Sequence, residues 1–233
     1  SVNSYNFAPE LIFIKDRDGN NNWSVFDTVS GYANRLDTTG AGGYQDWSDY
    51  FGSFDPNGFT VKAATSDLNR STNKMCSWSW KAGGNKNTFN VDDVGFASAA
   101  AAGLNGGTIT PTGASVGTKQ GFSIIKYTGN YTDDASFNHG LGKIPKFVIV
   151  KATGQSTDWA TYHSSLGLNS SMYLNSTDAA TDQGTWGNTN PTTSLMYIAN
   201  SSRTNSNTEP YIAYCWADVP GLQKFGSYVV DSL

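Results

Sequence analysis

Short apolar runs and strict alternation dominate the chain. Residues 11–14 (LIFI) and 147–150 (FVIV) are continuous apolar runs after a proline and before turn-rich stretches, the pattern of strands covered on both faces. CSWSW alternates, which sets Cys76, Trp78 and Trp80 on one face and the serines on the other. GFSIIKYTGN, TSLMYI and PYIAYCWA are rich in β-branched and aromatic residues and predict further strands. DRDGNNN and ATGQSTD follow the two apolar runs and predict hairpin loops. Many short strands separated by polar turns predict an all-β chain built as a β-sandwich, jelly-roll-like.

The elements recur. APELIFIKDRDGNNNWSVFD aligns without gaps on IPKFVIVKATGQSTDWATYH, with Pro9 on Pro145, Lys15 on Lys151, Trp23 on Trp159 and Phe26 on Tyr162. The same offset of 136 places Trp78 and Trp80 on Tyr214 and Trp216. Between these blocks, Leu36-Asp37-Thr38-Thr39 matches Leu174-Asn175-Ser176-Thr177, and Trp47 matches Trp186. The expectation is two tandem β-sandwich modules from an internal duplication, 1–80 and 121–233. A Gly/Ala/Thr-rich linker, 81–120, would join them. Within it, Asp92 and Asp93 ahead of an alanine run closed by Gly103 predict one short helix. The closing run KFGSYVV resembles GFSIIKY and reads as a strand that starts a further repeat or completes the first module.

Composition narrows the function classes. Charged residues are 15% of the chain and the net charge is −4, with no basic cluster, so nucleic acid is not an expected partner. No apolar run nears the roughly 20 residues of a membrane-spanning helix, so membrane insertion is not expected. The chain has no initiator Met and reads as a fragment of something longer. Cys76 and Cys215 lack metal or redox spacing, and read as two half-buried thiols rather than a disulfide.

No nucleophile elbow is expected, and HExxH, the phosphate loop and GxGxxG do not occur in the sequence. A paired-carboxylate site finds little support, because Glu10 and Glu209 fall on Lys146 and Asn73 and Asp133-Asp134 lies in a loop. His163 is traded for Asp27 between copies, and His139 sits in a glycine-flanked turn. The chain is expected not to be an enzyme and to need no cofactor. Asp16, Asp18 and Asn20 alternate as cation ligands can, but a hairpin loop is the plainer reading, so no metal is expected. Aromatic residues are 13% of the chain. Trp23, Trp80, Trp159 and Trp216 repeat at strand positions and are expected in the core. Trp47 and Trp186 sit in loop-like sequence and, with Tyr44, Tyr50 and Asn188, are the candidate ligand-binding residues, since exposed rings stack on sugars while amides hold hydroxyls.

GFSIIKYTGN, NHGLGKIPKFVIVK, DWATYHSSLG, YLNST, TSLMYI and YIAYCWADVPGLQKFGSY resemble, in that order, a repeat domain of tail-fibre-like proteins from bacteriophages, marine phages especially. The resemblance covers 121–230, and the first copy fits more loosely through PELIFIKDR, NWSVFD and SWSWKAGG. It implies a protein on the virion surface that takes part in host adsorption by binding cell-surface polysaccharide, or a structural shaft or capsid-decorating component with no ligand of its own. Its partners would be that glycan or other virion proteins. Phage fibres are commonly trimeric, so a homo-oligomer is expected, with multivalency strengthening weak contacts. The doubly apolar runs predict a covering contact between modules or between chains.

Overall fold

A computed structural model describes residues 1–63 and 67–230. Those residues form strands and no helix. In chain order the strands are β1 (Leu11–Asp16), β2 (Ser24–Asp27), β3 (Asn34–Arg35), β4 (Gln45–Asp46), β5 (Phe51–Asp55) and β6 (Gly58–Val61). There follow β7 (Met75–Trp80), β8 (Phe89–Val91), β9 (Val94–Phe96), β10 (Gly113–Gly117), β11 (Phe122–Thr128) and β12 (Ala135–Asn138). The last are β13 (Phe147–Ala152), β14 (Ala160–His163), β15 (Met172–Tyr173), β16 (Leu195–Ile198) and β17 (Pro210–Trp216).

Two ladders carry the repeated sequence. The first has the order β2-β1-β7, and the second contains β14-β13-β17 within an eight-stranded sheet. Their registers match at the sequence offset of 136. Leu11 lies opposite Asp27 and Trp80, and Phe147 lies opposite His163 and Trp216.

Alternation along β1 sorts its side chains into two cores. Ile12 and Ile14 join Phe26, Phe51 and Phe59 under the β5–β6 hairpin. Leu11 and Phe13 turn the other way, with Val25 and Trp80, onto Ile149, Trp159, Ile212, Tyr214 and Trp216. The far face of the second sheet, with Val148, Val150, Tyr211 and Cys215, packs on Phe137, Met196 and Ile198 of the β12–β16 pair. Both LIFI and FVIV are therefore covered on both faces from within one chain.

Equivalent faces of the two ladders meet. Trp80 and its counterpart Trp216 touch edge to face, ring centroids 5.9 Å apart. A residue meeting its own counterpart is what a two-fold packing of repeats requires on its axis. A buried polar cluster lies in the same layer. Asp27 accepts hydrogen bonds from Tyr214 Oη at 2.8 Å and from the amide and hydroxyl of Ser30, both at 2.7 Å, and the Ser30 hydroxyl also bonds Tyr44 Oη. Burial raises the Asp27 carboxyl above its usual range despite these bonds.

The segment expected to be a linker is instead built into the second sheet. β10 pairs with β11 on one side and with β8 on the other, and Phe89, Ala99, Leu104, Ile109, Ala114 and Val116 are all core residues. It also reaches the first ladder: buried Glu10 accepts bonds from the amides of Ala82 (2.7 Å) and Gly84 (2.8 Å) and from Ser115 Oγ (2.5 Å). The predicted short helix does not form. Asp92 and Asp93, at φ 48° and 67°, are the two central residues of the β8–β9 hairpin, where both positions need positive φ. The alanine run makes a turn, with Leu104 N donating to Ala99 O at 2.8 Å. The closing run 224–230 forms no strand.

Candidate functional site

The predicted ligand residues are dispersed, and most are packed. Trp186 is buried, in edge-to-face contact with Tyr162 in the third core. Its loop context suggested exposure, but the strand-like bridge of Trp186 to Ile198 turns the ring inward. Trp47 lies under the Arg35 guanidinium at 4.2 Å and against Tyr50 at 5.1 Å, part of the β5–β6 core. The Tyr44 hydroxyl is committed to Ser30, and burial pushes its pKa well above the usual range. Asn188 is exposed on the loop after Trp186, away from the Trp47 group. These five residues do not form one site.

The cation candidates are equally separated. Asp16 is buried and accepts bonds from Asp18 N (2.9 Å), Asn73 Nδ2 (2.7 Å) and Asn21 Nδ2 (2.5 Å). Desolvation opposes its ionisation, but these bonds win and lower its pKa. Asp18 turns to the Lys74 amide at 2.8 Å, and Asn20 is exposed. Among the described residues no group of three or more His, Cys, Asp or Glu side chains converges to hold a metal. This stretch is a hairpin loop, caged by Lys15 Nζ on the carbonyls of Asp16, Gly19 and Asn21. Both cysteines are free thiols, with Cys215 buried and pushed up to about 12 by burial.

The geometry instead brings the repeated Leu-Asp/Asn-Ser/Thr-Thr motifs together. A cleft of about 390 Å³ lies between the copies, floored by Phe13 and Trp23 and rimmed by Thr38, Thr39, Leu174, Asn175, Ser176 and Thr177. That volume is in the range of small-ligand sites. Trp78 faces Phe13 across the β1–β7 register and lies against Trp23, centroids 5.1 Å apart, with 46% of its surface exposed. The ring platform is held from behind. Arg35 donates to the Trp23 carbonyl (3.0 Å) and to Ser24 Oγ (2.8 Å), and pairs with Asp37 and Asp67. On the rim, Thr39 Oγ1 bonds Asp37 and Ser176 Oγ bonds Asp178. Among the described residues, the Thr38 and Thr177 hydroxyls have no hydrogen-bond partner.

The cleft exists because the two copies differ. Trp159, the counterpart of Trp23, is fully buried, and its indole donates to the carbonyls of Asp37 (3.0 Å) and Gly40 (3.2 Å). The 37–44 loop closes over it by lacing onto the second ladder, through Tyr44 N to Thr153 O at 2.8 Å and Lys151 Nζ to Ala41 O at 3.0 Å. Gly43 permits that approach, since a Cβ there would stand 2.5 Å from Thr153 O. The loop after Leu174 runs Asn-Ser-Thr-Asp-Ala-Ala, with no glycine, and leaves Trp23 uncovered.

Both copies and the strands between them fall within a single family match, over residues 1–232. The chain belongs to DUF7483, a domain of unknown function. Neither a curated protein nor a solved structure matches it. In this DUF7483 chain the cleft offers aromatic rings and hydroxyls, while its one side-chain amide, Asn175, accepts from Trp159 N at 2.9 Å and donates to Asp158 at 3.1 Å. The buried carboxyls Glu10 and Asp27 are saturated by bonds elsewhere in the fold.

The signal for the cleft was present in the sequence. Trp23 and the two Leu-Asp/Asn-Ser/Thr-Thr motifs stood out as repeated, but repetition at a strand position was read as burial. Only the missing glycine in the second loop marks one copy as open.

Proposed function

We propose that this chain is a virion surface protein of the phage tail-fibre type, which attaches to host-cell glycan through the cleft floored by Phe13 and Trp23 and the Trp78 ring beside it. The observation that carries the reading is the pairing of a half-open tryptophan platform with a rim of neutral hydroxyls. Sugar rings present apolar C–H faces to aromatic rings, and their hydroxyls exchange hydrogen bonds with Ser, Thr and Asn. The resemblance of 121–230 to phage fibre repeats supplies the biological setting.

The test incubates a multimerised form with a panel of bacterial surface polysaccharides, reading binding and released oligosaccharide. Binding without release is expected. Trp78→Ala should weaken it about tenfold, equivalent to about 1.4 kcal/mol, with a stability loss of about 1 kcal/mol from the lost contact with Trp23, too small to unfold the chain. Retention of full affinity by both Trp78→Ala and Trp23→Ala would remove the cleft from the binding event. Fragment release would point to a depolymerase. A structural shaft or capsid-decorating role has one observation in its favour: among the described residues no strand pairs with the outer edge of β7.

A further inference from the structure

Among the described residues no strand pairs with the outer edge of β7, although the Tyr5 hydroxyl bonds the Ser77 and Ser79 hydroxyls. Arg17 N donates to Lys74 O at 2.9 Å, which fixes the alternation of the β1–β7 pair. Cys76, Trp78 and Trp80 then exchange backbone bonds with β1, and the N–H and C=O groups of Met75, Ser77 and Ser79 point outward. In the second ladder the matching groups belong to Tyr211, Ala213 and Cys215, and these face Tyr127, Ile125 and Ser123 of β11. Among the described residues the first ladder has no strand in that place. No charged residue or proline interrupts Met75–Trp80, although exposed edges are usually blunted by such residues.

The same chain carries an unused strand. Phe225 stacks on Phe147 at 5.8 Å, and its amide is held by Asp218 at 2.9 Å. Beyond it Gly226–Val230 is unpaired, with Tyr228, Val229 and Val230 exposed by 88%, 89% and 78%. Five extended residues span about 17 Å at roughly 3.4 Å each, which matches the length of Met75–Ser79.

We propose that Gly226–Val230 of one copy adds, antiparallel, to β7 of a second copy, in the place that β11 takes on β17. Among the described residues neither the arm nor the outer edge of β7 has a backbone partner in its own chain, so the occupant is taken from another molecule. Donor and acceptor lie on different patches, so the contact is head-to-tail and repeats from copy to copy. The inference does not depend on glycan binding.

Light scattering across a wide concentration range tests it with two variants. Val229→Pro disables the arm, and Ser77→Pro disables the edge at an outward-facing N–H, where proline is tolerated. The native chain should grow beyond a dimer as concentration rises, while each variant alone stays monomeric. Mixed, the two variants should form a one-to-one dimer and stop, because one free arm meets one free edge. Should Ser77→Pro lose its near-ultraviolet circular dichroism, Ser79→Pro takes its place. A native chain that stays monomeric, a variant that associates like the native chain, or a mixture that does not dimerise overturns the proposal. So does hydrogen-exchange protection of the Ser77 and Ser79 amides in a monomer, which would place the arm on its own edge.

Discussion

Trp216→Ala should destabilise the protein by about 4 kcal/mol, near the middle of the range for deleting a buried tryptophan. The ring is 3% exposed and touches Trp80, Phe122, Phe147 and Tyr214, with centroids 5.9, 4.8, 5.4 and 6.4 Å away. Its walls come from β7, β11, β13 and β17, each held in a ladder, so the cavity cannot collapse without breaking backbone pairing. For a domain of this size the midpoint of melting should fall by about 10 °C. The loss should appear in a single transition, because the two ladders share this layer. Urea denaturation monitored by fluorescence checks both statements. A loss below about 1 kcal/mol would mean that the ladders are not coupled through this face.

Acid should weaken the fold through His139. Its ring is buried, Nε2–H donates to Thr192 O at 3.2 Å and Nδ1 accepts from Leu141 N at 3.2 Å, so the site holds a neutral imidazole. Burial lowers its pKa from 6.5 to about 4, against the opposing bond to Thr192. The unfolded chain therefore takes up a proton below pH 6.5 that the folded chain refuses until about pH 4. Stability fully present above pH 6.5 is lost as pH falls through that window, about 3 kcal/mol when complete. Glu10 and Asp27 act in the opposite sense. Burial raises both, so they keep protons in the fold, and their contribution is present at low pH and lost as pH rises. The His139 effect is isolated by comparing stability from pH 7 to pH 4.5 with that of His139→Gln, whose amide can make both bonds. The variant should show the shallower acid loss. An imidazole resonance titrating with a midpoint near 6.5 would contradict this account.

Much of the strand pattern was legible in the sequence because apolar spacing encodes it directly. The alternation in Met75–Trp80 gave the faces of β7, and the alignment at 136 recurs in the pairing of Leu11 and Phe147. Residues 81–120 misled because a strand buried between close neighbours needs small side chains. Gly113–Gly117 is buried at every position, and Ala114, Ser115 and Val116 are fully enclosed. A spacer has the same composition. Asp92-Asp93 misled for a related reason: paired acids start helices, but they also tolerate the positive φ of a tight hairpin. The site was hidden by a difference between copies. Trp23 and Trp159 occupy equivalent positions just before their strands, and the loop that covers Trp159 is one that can approach Thr153 closely at Gly43.

The interleaving of the chain also sets an order of assembly. The β1–β2, β10–β11 and β13–β14 hairpins close locally. β1 must wait for its partner across the stretch from Asp16 to Met75, and β11 waits for β17 across the stretch from Thr128 to Pro210. Contacts so distant in sequence place a fold among the slow, non-local β proteins. Doubling a loop adds only about 0.6 kcal/mol to its closure, so the burden falls on rate more than on equilibrium. During synthesis the face of Leu11 and Phe13 is only partly covered, by Val25 and Trp80, until the second ladder through Trp216 has left the ribosome. The outer edge of β7 is open to stray pairing from the moment it forms, and among the described residues no later strand closes it.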